Sequence, residues 1–258
     1  MTSAIVNKEE YKRNFLTNVI FKVSFPKISE LNAQNPPLKF KEKVADRFPN
    51  FKELKGEVFE FEVKSEAEDI ALKQLKASSW EFSNKDKTKR VTIDPQFVSI
   101  EYSKYTDFKE LFEELKLIFD TFFEVYPVKI SKSIGLRYIN QIKLPSGDPL
   151  DWNGILHESL FDLTRNFTDD NDNIIRSMHL LELKEKTHTL RFQFGLFNSE
   201  YPNIIARKEF ALDYDCFTTE ETDISEIFTK AKEFHEVIKK WFEKSIRNGL
   251  KDILKTVV

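Results

Sequence analysis

The residues of this 258-residue chain best suited to chemistry lie on the run Ile134-Gly-Leu-Arg-Tyr-Ile-Asn140. Side chains alternate across a strand, so Arg137 falls on one side and Leu136, Tyr138 and Asn140 on the other. A guanidinium among apolar neighbours must meet a carboxylate, a ligand anion or water, because a buried charge without a partner is costly. Arg137 is therefore either an anion clamp on an open sheet face or one arm of an internal Arg–carboxylate bridge joining two halves of the chain. The bridge is the commoner role. With Tyr138, Asn140, Arg191 and Glu101 it forms the candidate ligand-binding set, and no residue is nominated as catalytic.

A second set has the chemistry of nucleic-acid contact. Lys85-x-Lys87-x-Lys89-Arg90 follows Trp80 and Phe82, and sheet platforms stack bases on exposed aromatics while Lys and Arg hold phosphates. The commoner role of such a run is a solvated turn that guards a sheet edge. Other chemistries find less. His157, His179, His188 and His235 are scattered without metal-ligand spacing, and Asp169-Asp-Asn-Asp-Asn173 lacks the Gly and Glu of a calcium loop. Cys216 has no His near it in sequence, no G-x-S-x-G elbow is present, and six glycines build no phosphate-binding fingerprint. Neither a metal nor an organic cofactor is expected.

Composition bounds the partners. With 40 basic and 43 acidic residues the net charge is −3, which gives no global attraction to nucleic acid or anionic membrane. A single cysteine excludes an internal disulfide framework, and no apolar run is long enough to span a bilayer, so a cytoplasmic protein away from membranes is expected. The 25 Phe supply apolar area for a core.

Periodicity places these residues on elements. Residues 1–13 read as a flexible N-terminal arm. Period-2 alternation predicts strands at 15–25, 59–63, 80–82, 91–93 and 98–102, with a charged connection over 64–76 that holds a short helix. A capped amphipathic helix follows over 107–125. The second half predicts a strand at 134–144, a helix at 152–165, strands at 175–184, 188–198 and 205–217, and a helix over 223–247. Phe112 and Phe228 fall in the apolar stripes of the two long helices and are expected in the core.

The second half re-reads the first. Thr106-Asp107-x-x-Glu110 recurs as Thr222-Asp223-x-x-Glu226 at an offset of 116, and Val19 to Pro26 aligns with Tyr138 to Pro145 at 119. Val98, Ile100 and Tyr102 match Phe210, Leu212 and Tyr214 at 112. Recurrence of different elements in one order predicts an α+β fold made by internal duplication of a β-α-β(3–4)-α unit, halves 14–127 and 128–258. The expected architecture is curved antiparallel sheet backed by helices, resembling the TATA-box-binding protein plan and other duplicated folds. Trp80-Glu-Phe-Ser-Asn84, Glu101-Tyr102 with Tyr105-x-x-Phe108, and Ile134 to Asn140 together resemble a sporadically distributed family of prokaryotic proteins of about this length, without assigned activity. That resemblance spans nearly the whole chain and implies a mobile-element or defence-associated setting. The functional expectation is a non-enzymatic binding or interaction module, using the sheet face or the groove between halves. Its partner is a protein or small ligand, with a second copy of the chain also open. The alternative is a nucleic-acid or nucleotide sensor holding an anion through Arg137 and Arg191.

Overall fold

Alternating apolar residues place most of the strands in one sheet. Val19, Phe21 and Val23 are buried on β1 (Leu16–Ser24), and every second residue from Ile134 to Ile142 is buried on β7 (Ser133–Lys143). The computed structural model describes residues 11–63, 70–167 and 173–256. Between β1 and β7 come α1 (Leu38–Val44), β2 (Asn50–Val63), β3 (Ile70–Ser83), β4 (Lys89–Asp94), β5 (Phe97–Tyr102), α2 (Phe108–Val125) and the short β6 (Ile130–Ser131). After β7 come α3 (Asp162–Phe167), β8 (Ser177–Glu185), β9 (His188–Leu196), β10 (Glu209–Thr218), the short β11 (Thr222–Asp223), α4 (Ile227–Ser245) and α5 (Asn248–Lys255). Among the described residues nine strands form an antiparallel sheet in the order β2-β3-β4-β5-β1-β7-β10-β9-β8, with β1 and β7 paired at its seam.

One face of this sheet carries the core. α2 presents Leu111, Leu115, Ile118, Phe119 and Phe122 to it, and α4 presents Ile227, Ala231, Phe234 and Ile238. Each such ring or branched chain contributes about 1.5–3 kcal/mol on burial. Asp107 starts α2 by accepting from the Glu110 backbone N–H at 2.8 Å, which satisfies one orphan donor of the first turn. Gly195 adopts φ +149°, and a Cβ there would meet the Ser177 carbonyl oxygen at 2.0 Å, so the β8–β9 approach requires glycine.

The α+β class and the antiparallel sheet backed by helices agree with expectation, and several elements do not. Phe112 and Phe228 are half-buried. They meet each other edge-to-face, ring centroids 6.0 Å apart, where α2 and α4 touch. The helix expected over 152–165 is a series of turns ending in α3. Gly154 has φ +71°, and the His157 N–H bonds the Ser245 carbonyl at 2.8 Å, so tertiary bonds take the backbone groups a helix would have used. The last helix breaks at Ile246, where Ile246 bridges to Leu156, and resumes as α5. β3 begins at Ile70 in unbroken register with β2, so the later part of the expected 64–76 connection is strand. Residues 64–69, the N-terminal arm through residue 10 and the acidic loop 169–172 lie outside the described residues. Lys12 and Arg13, expected in the loose arm, are tied down: both backbone N–H groups donate to the Leu254 carbonyl, at 2.9 and 3.2 Å.

Candidate functional site

The alternation on β7 divides the candidate ligand set between two faces. Tyr138 and Asn140 point under the helices, whereas Arg137 points to the open face. Beneath the helices Tyr138 sits at the base of a pocket of about 310 Å³, bounded by the 11–14 segment, the start of α2, α4 and the end of α5. Its hydroxyl lies 3.3 Å from the Tyr105 hydroxyl and 3.0 Å from His235 Nδ1. Phe108, in the first turn of α2, stacks on the His235 ring at 3.8 Å with the planes 4° apart. Asn140 is 5 % exposed and donates from Nδ2 to the Leu212 carbonyl at 3.2 Å.

Burial governs the electrostatics of this pocket. It pushes the Tyr105 phenol up to about 12, against a hydrogen bond with Tyr138 that acts the other way. Burial and the neighbouring Tyr105 raise Tyr138 well above its ordinary value. Both phenols are therefore neutral hydrogen-bonding groups near pH 7 and poor nucleophiles. With Nδ1 of His235 unprotonated, the chain runs from Tyr105 through Tyr138, which donates to the imidazole. At the rim stand Lys12, Arg13 and Lys239 with two carboxylates, Asp107 and Glu243. Asp107 is engaged as the α2 cap, and Glu243 accepts from Tyr11 at 2.8 Å and from Lys251 at 3.1 Å.

The open face gathers the other candidates as ion pairs. Arg137 donates from Nε and an Nη to the two oxygens of Asp213, at 2.8 and 2.6 Å. Both partners belong to the later half of the chain, so the bridge does not join the halves. Arg191 bonds Glu182 at 2.7 Å and lies 3.9 Å from Asp215. Burial raises the Asp215 carboxyl, opposed by Arg137 and Arg191. Glu101 accepts from Asn18 at 2.6 Å and from Arg90 at 2.5 Å. Arg137 and Arg191 thus line one shallow pocket with Asp213 and Asp215, while Glu101 sits in another near Arg90.

The nucleic-acid set is dispersed. Trp80 is 1 % exposed in the core, where no base can reach it. Lys89 turns under the helices to bond Glu110 and Glu114, both at 2.7 Å, while Arg90 points to the open face and Lys85 and Lys87 stand exposed in the turn. Cys216 is buried, which pushes its thiol up. Among the described residues no group of three His, Cys, Asp or Glu is placed to hold a metal, and no helix is long and apolar enough to cross a membrane.

Sequence reasoning missed Tyr105, Phe108 and His235 as site residues. The first two do appear in the Tyr105-x-x-Phe108 pattern, whereas His235 lies beside the apolar stripe of α4 and carries no local signal. Compared with known protein families the chain matches none, and no curated protein matches it significantly.

Proposed function

We propose that the chain is a non-enzymatic binding module made from a duplicated unit, and that the pocket at the junction of its halves holds a small planar ligand. Pairing register supports the duplication. Moved by the sequence offsets of 119 and 112, the pair Val19–Tyr102 becomes Tyr138–Tyr214, and Phe21–Ile100 becomes Asn140–Leu212. All four are directly opposed pairs. The binding reading rests on the partly buried Tyr105–Tyr138–His235 chain, to which residues before 127 contribute Tyr105 and Phe108 and later residues contribute Tyr138 and His235. Aromatic walls with a few convergent polar groups suit ring recognition, and the neutral phenols favour binding over reaction. A defence-associated setting belongs to this proposal through the sequence resemblance alone, and a cytoplasmic one through the single cysteine and the lack of a long apolar run.

The alternative, an anion sensor built on Arg137 and Arg191, is less well supported. Asp213, Asp215 and Glu182 outnumber the two guanidiniums they surround.

A thermal-shift screen with free nucleobases, indoles and phenolic acids tests the pocket. A ligand at 100 times its Kd stabilises by about 2.7 kcal/mol, and each kcal/mol moves the melting temperature about 2–4 °C in a protein of this size. A shift of that order with wild type, lost in Tyr138→Phe and Phe108→Ala variants that remain folded, is the expected result. No shift with any ring compound would sink the pocket reading.

A further inference from the structure

We infer that the outer edge of β8 is a self-association surface, where β8 pairs antiparallel with β8 of a second copy about a twofold axis at Leu181. β8 ends the sheet and, among the described residues, pairs only with β9. An edge strand offers a row of unused backbone N–H and C=O groups, and monomeric proteins usually blunt such edges with outward charges, proline or cover. Here Leu180 is 61 % and Leu181 40 % exposed, one on each face. Of the charges on β8, Glu182 is engaged by the neighbouring strand, accepting from Arg191 at 2.7 Å, and Lys184 lies 3.9 Å from Glu220 in the loop after β10.

Leu181 also ends a row. The directly opposed residues Tyr102, Val19, Tyr138, Tyr214, Phe192 and Leu181 run across the sheet under the helices. The first five are nearly buried, and the row stops in water at Leu181. A second copy would continue it.

The sequence of β8 argues for a second copy rather than a foreign strand. The antiparallel register that pairs all nine residues from Ser177 to Glu185 sets Leu181 against itself, His179 against Leu183, Leu180 against Glu182 and Met178 against Lys184. No like charges face each other, and both helical layers stay on the same side. Slipping so that Glu182 meets its own copy would oppose two carboxylates, which is destabilising.

Native mass spectrometry and analytical ultracentrifugation of the full chain test this. Wild type is expected to be dimeric, Leu181→Lys and Leu181→Glu each monomeric with unchanged circular dichroism, and an equimolar mixture of the two variants dimeric again through opposite charges at the axis. That rescue separates strand pairing from mere loss of an apolar patch. A wild type still monomeric at about 100 µM, where a dimer with a Kd of about 10 µM would be well populated, overturns the proposal. So does a dimer that survives Leu181→Lys. The pocket around Tyr138 is untouched by these substitutions, so ligand binding stands or falls separately.

Discussion

The two sides of the β1–β7 seam bury a tyrosine at the same place in the sheet and surround it differently. Tyr102 of β5 opposes Val19, and Tyr214 of β10 opposes Tyr138. Around Tyr102 the chain buries charge. Glu114 is 3 % exposed and lies 3.4 Å from the Tyr102 hydroxyl, held by Lys89 at 2.7 Å and Arg47 at 3.0 Å. Around Tyr214 it stacks rings instead: Phe192 lies 4.5 Å away with planes 4° apart, and the hydroxyl donates to Ser245 at 2.8 Å. The residue opposite each tyrosine on the next strand decides this, Lys89 on β4 and Phe192 on β9. Tyr214 borders the proposed ligand pocket and Tyr102 does not. An apolar, neutral wall on one side and an ionic brace on the other follow from that one exchange.

The largest test of this contrast is Phe192→Ala. Phe192 is 2 % exposed and stacks on Tyr214 and on Phe194, so its loss costs about 3–5 kcal/mol by transfer and cavity. Denaturant melts should give nearly the same loss from about pH 5 to pH 8, since no charge is removed. A loss below about 1 kcal/mol would mean that the stack collapses around the gap without cost.

Lys89→Met tests the ionic side and should cost less, about 3 kcal/mol near pH 7. That is the low end for a broken buried pair, because Arg47 still holds Glu114. Its pH dependence distinguishes it from the first variant. The hydrogen bond from Lys89 lowers the Glu110 carboxyl. A lowered carboxyl gives stability that is present above its unfolded value and lost as pH falls through its folded one. The gap between wild type and Lys89→Met should therefore narrow on acidification, while the Phe192→Ala gap does not. Parallel acid limbs for wild type and Lys89→Met would refute the ionic brace.

The sheet was legible because strand burial has period 2, and the runs from Val19 and from Ile134 display it without interruption. A register error of one residue would have turned every side chain of such a strand to the wrong face. Less legible was whatever depends on contacts distant in sequence. Trp80 sits next to a basic turn in the chain, but strand alternation carries it into the core and Arg90 to the other face. Phe112 and Phe228 match the apolar stripes, yet the helices meet there at a rim. Tyr138 and Asn140 were found from their strand, whereas His235 reaches them from 97 residues away, by Tyr138. Distance in the chain hid that contact.

Arg137→Met carries the smallest expected effect and divides the open face from the pocket. Arg137 is 41 % exposed by side chain and pairs bidentately with Asp213, 11 % exposed. Solvent screening limits such a pair to about 1 kcal/mol. The sign with pH is set by the carboxylates left behind. Burial already raises Asp215, and Arg137 is the leading charge that opposes this. Without the guanidinium Asp215 holds its proton to higher pH in the folded state. A raised carboxyl loses stability as pH rises from its unfolded value to its folded one, so the deficit of the variant should be near zero in acid and open as pH rises through the carboxylate range. Urea melts at several pH values measure it. If Arg137 is structural, the same variant retains every ring-ligand shift seen with wild type, because it lies on the opposite face from Tyr138. If Arg137 clamps an anion, wild type but not the variant should bind oligonucleotides, more weakly as salt rises. Salt-sensitive oligonucleotide binding that disappears in Arg137→Met would move the functional surface from the pocket to the open face.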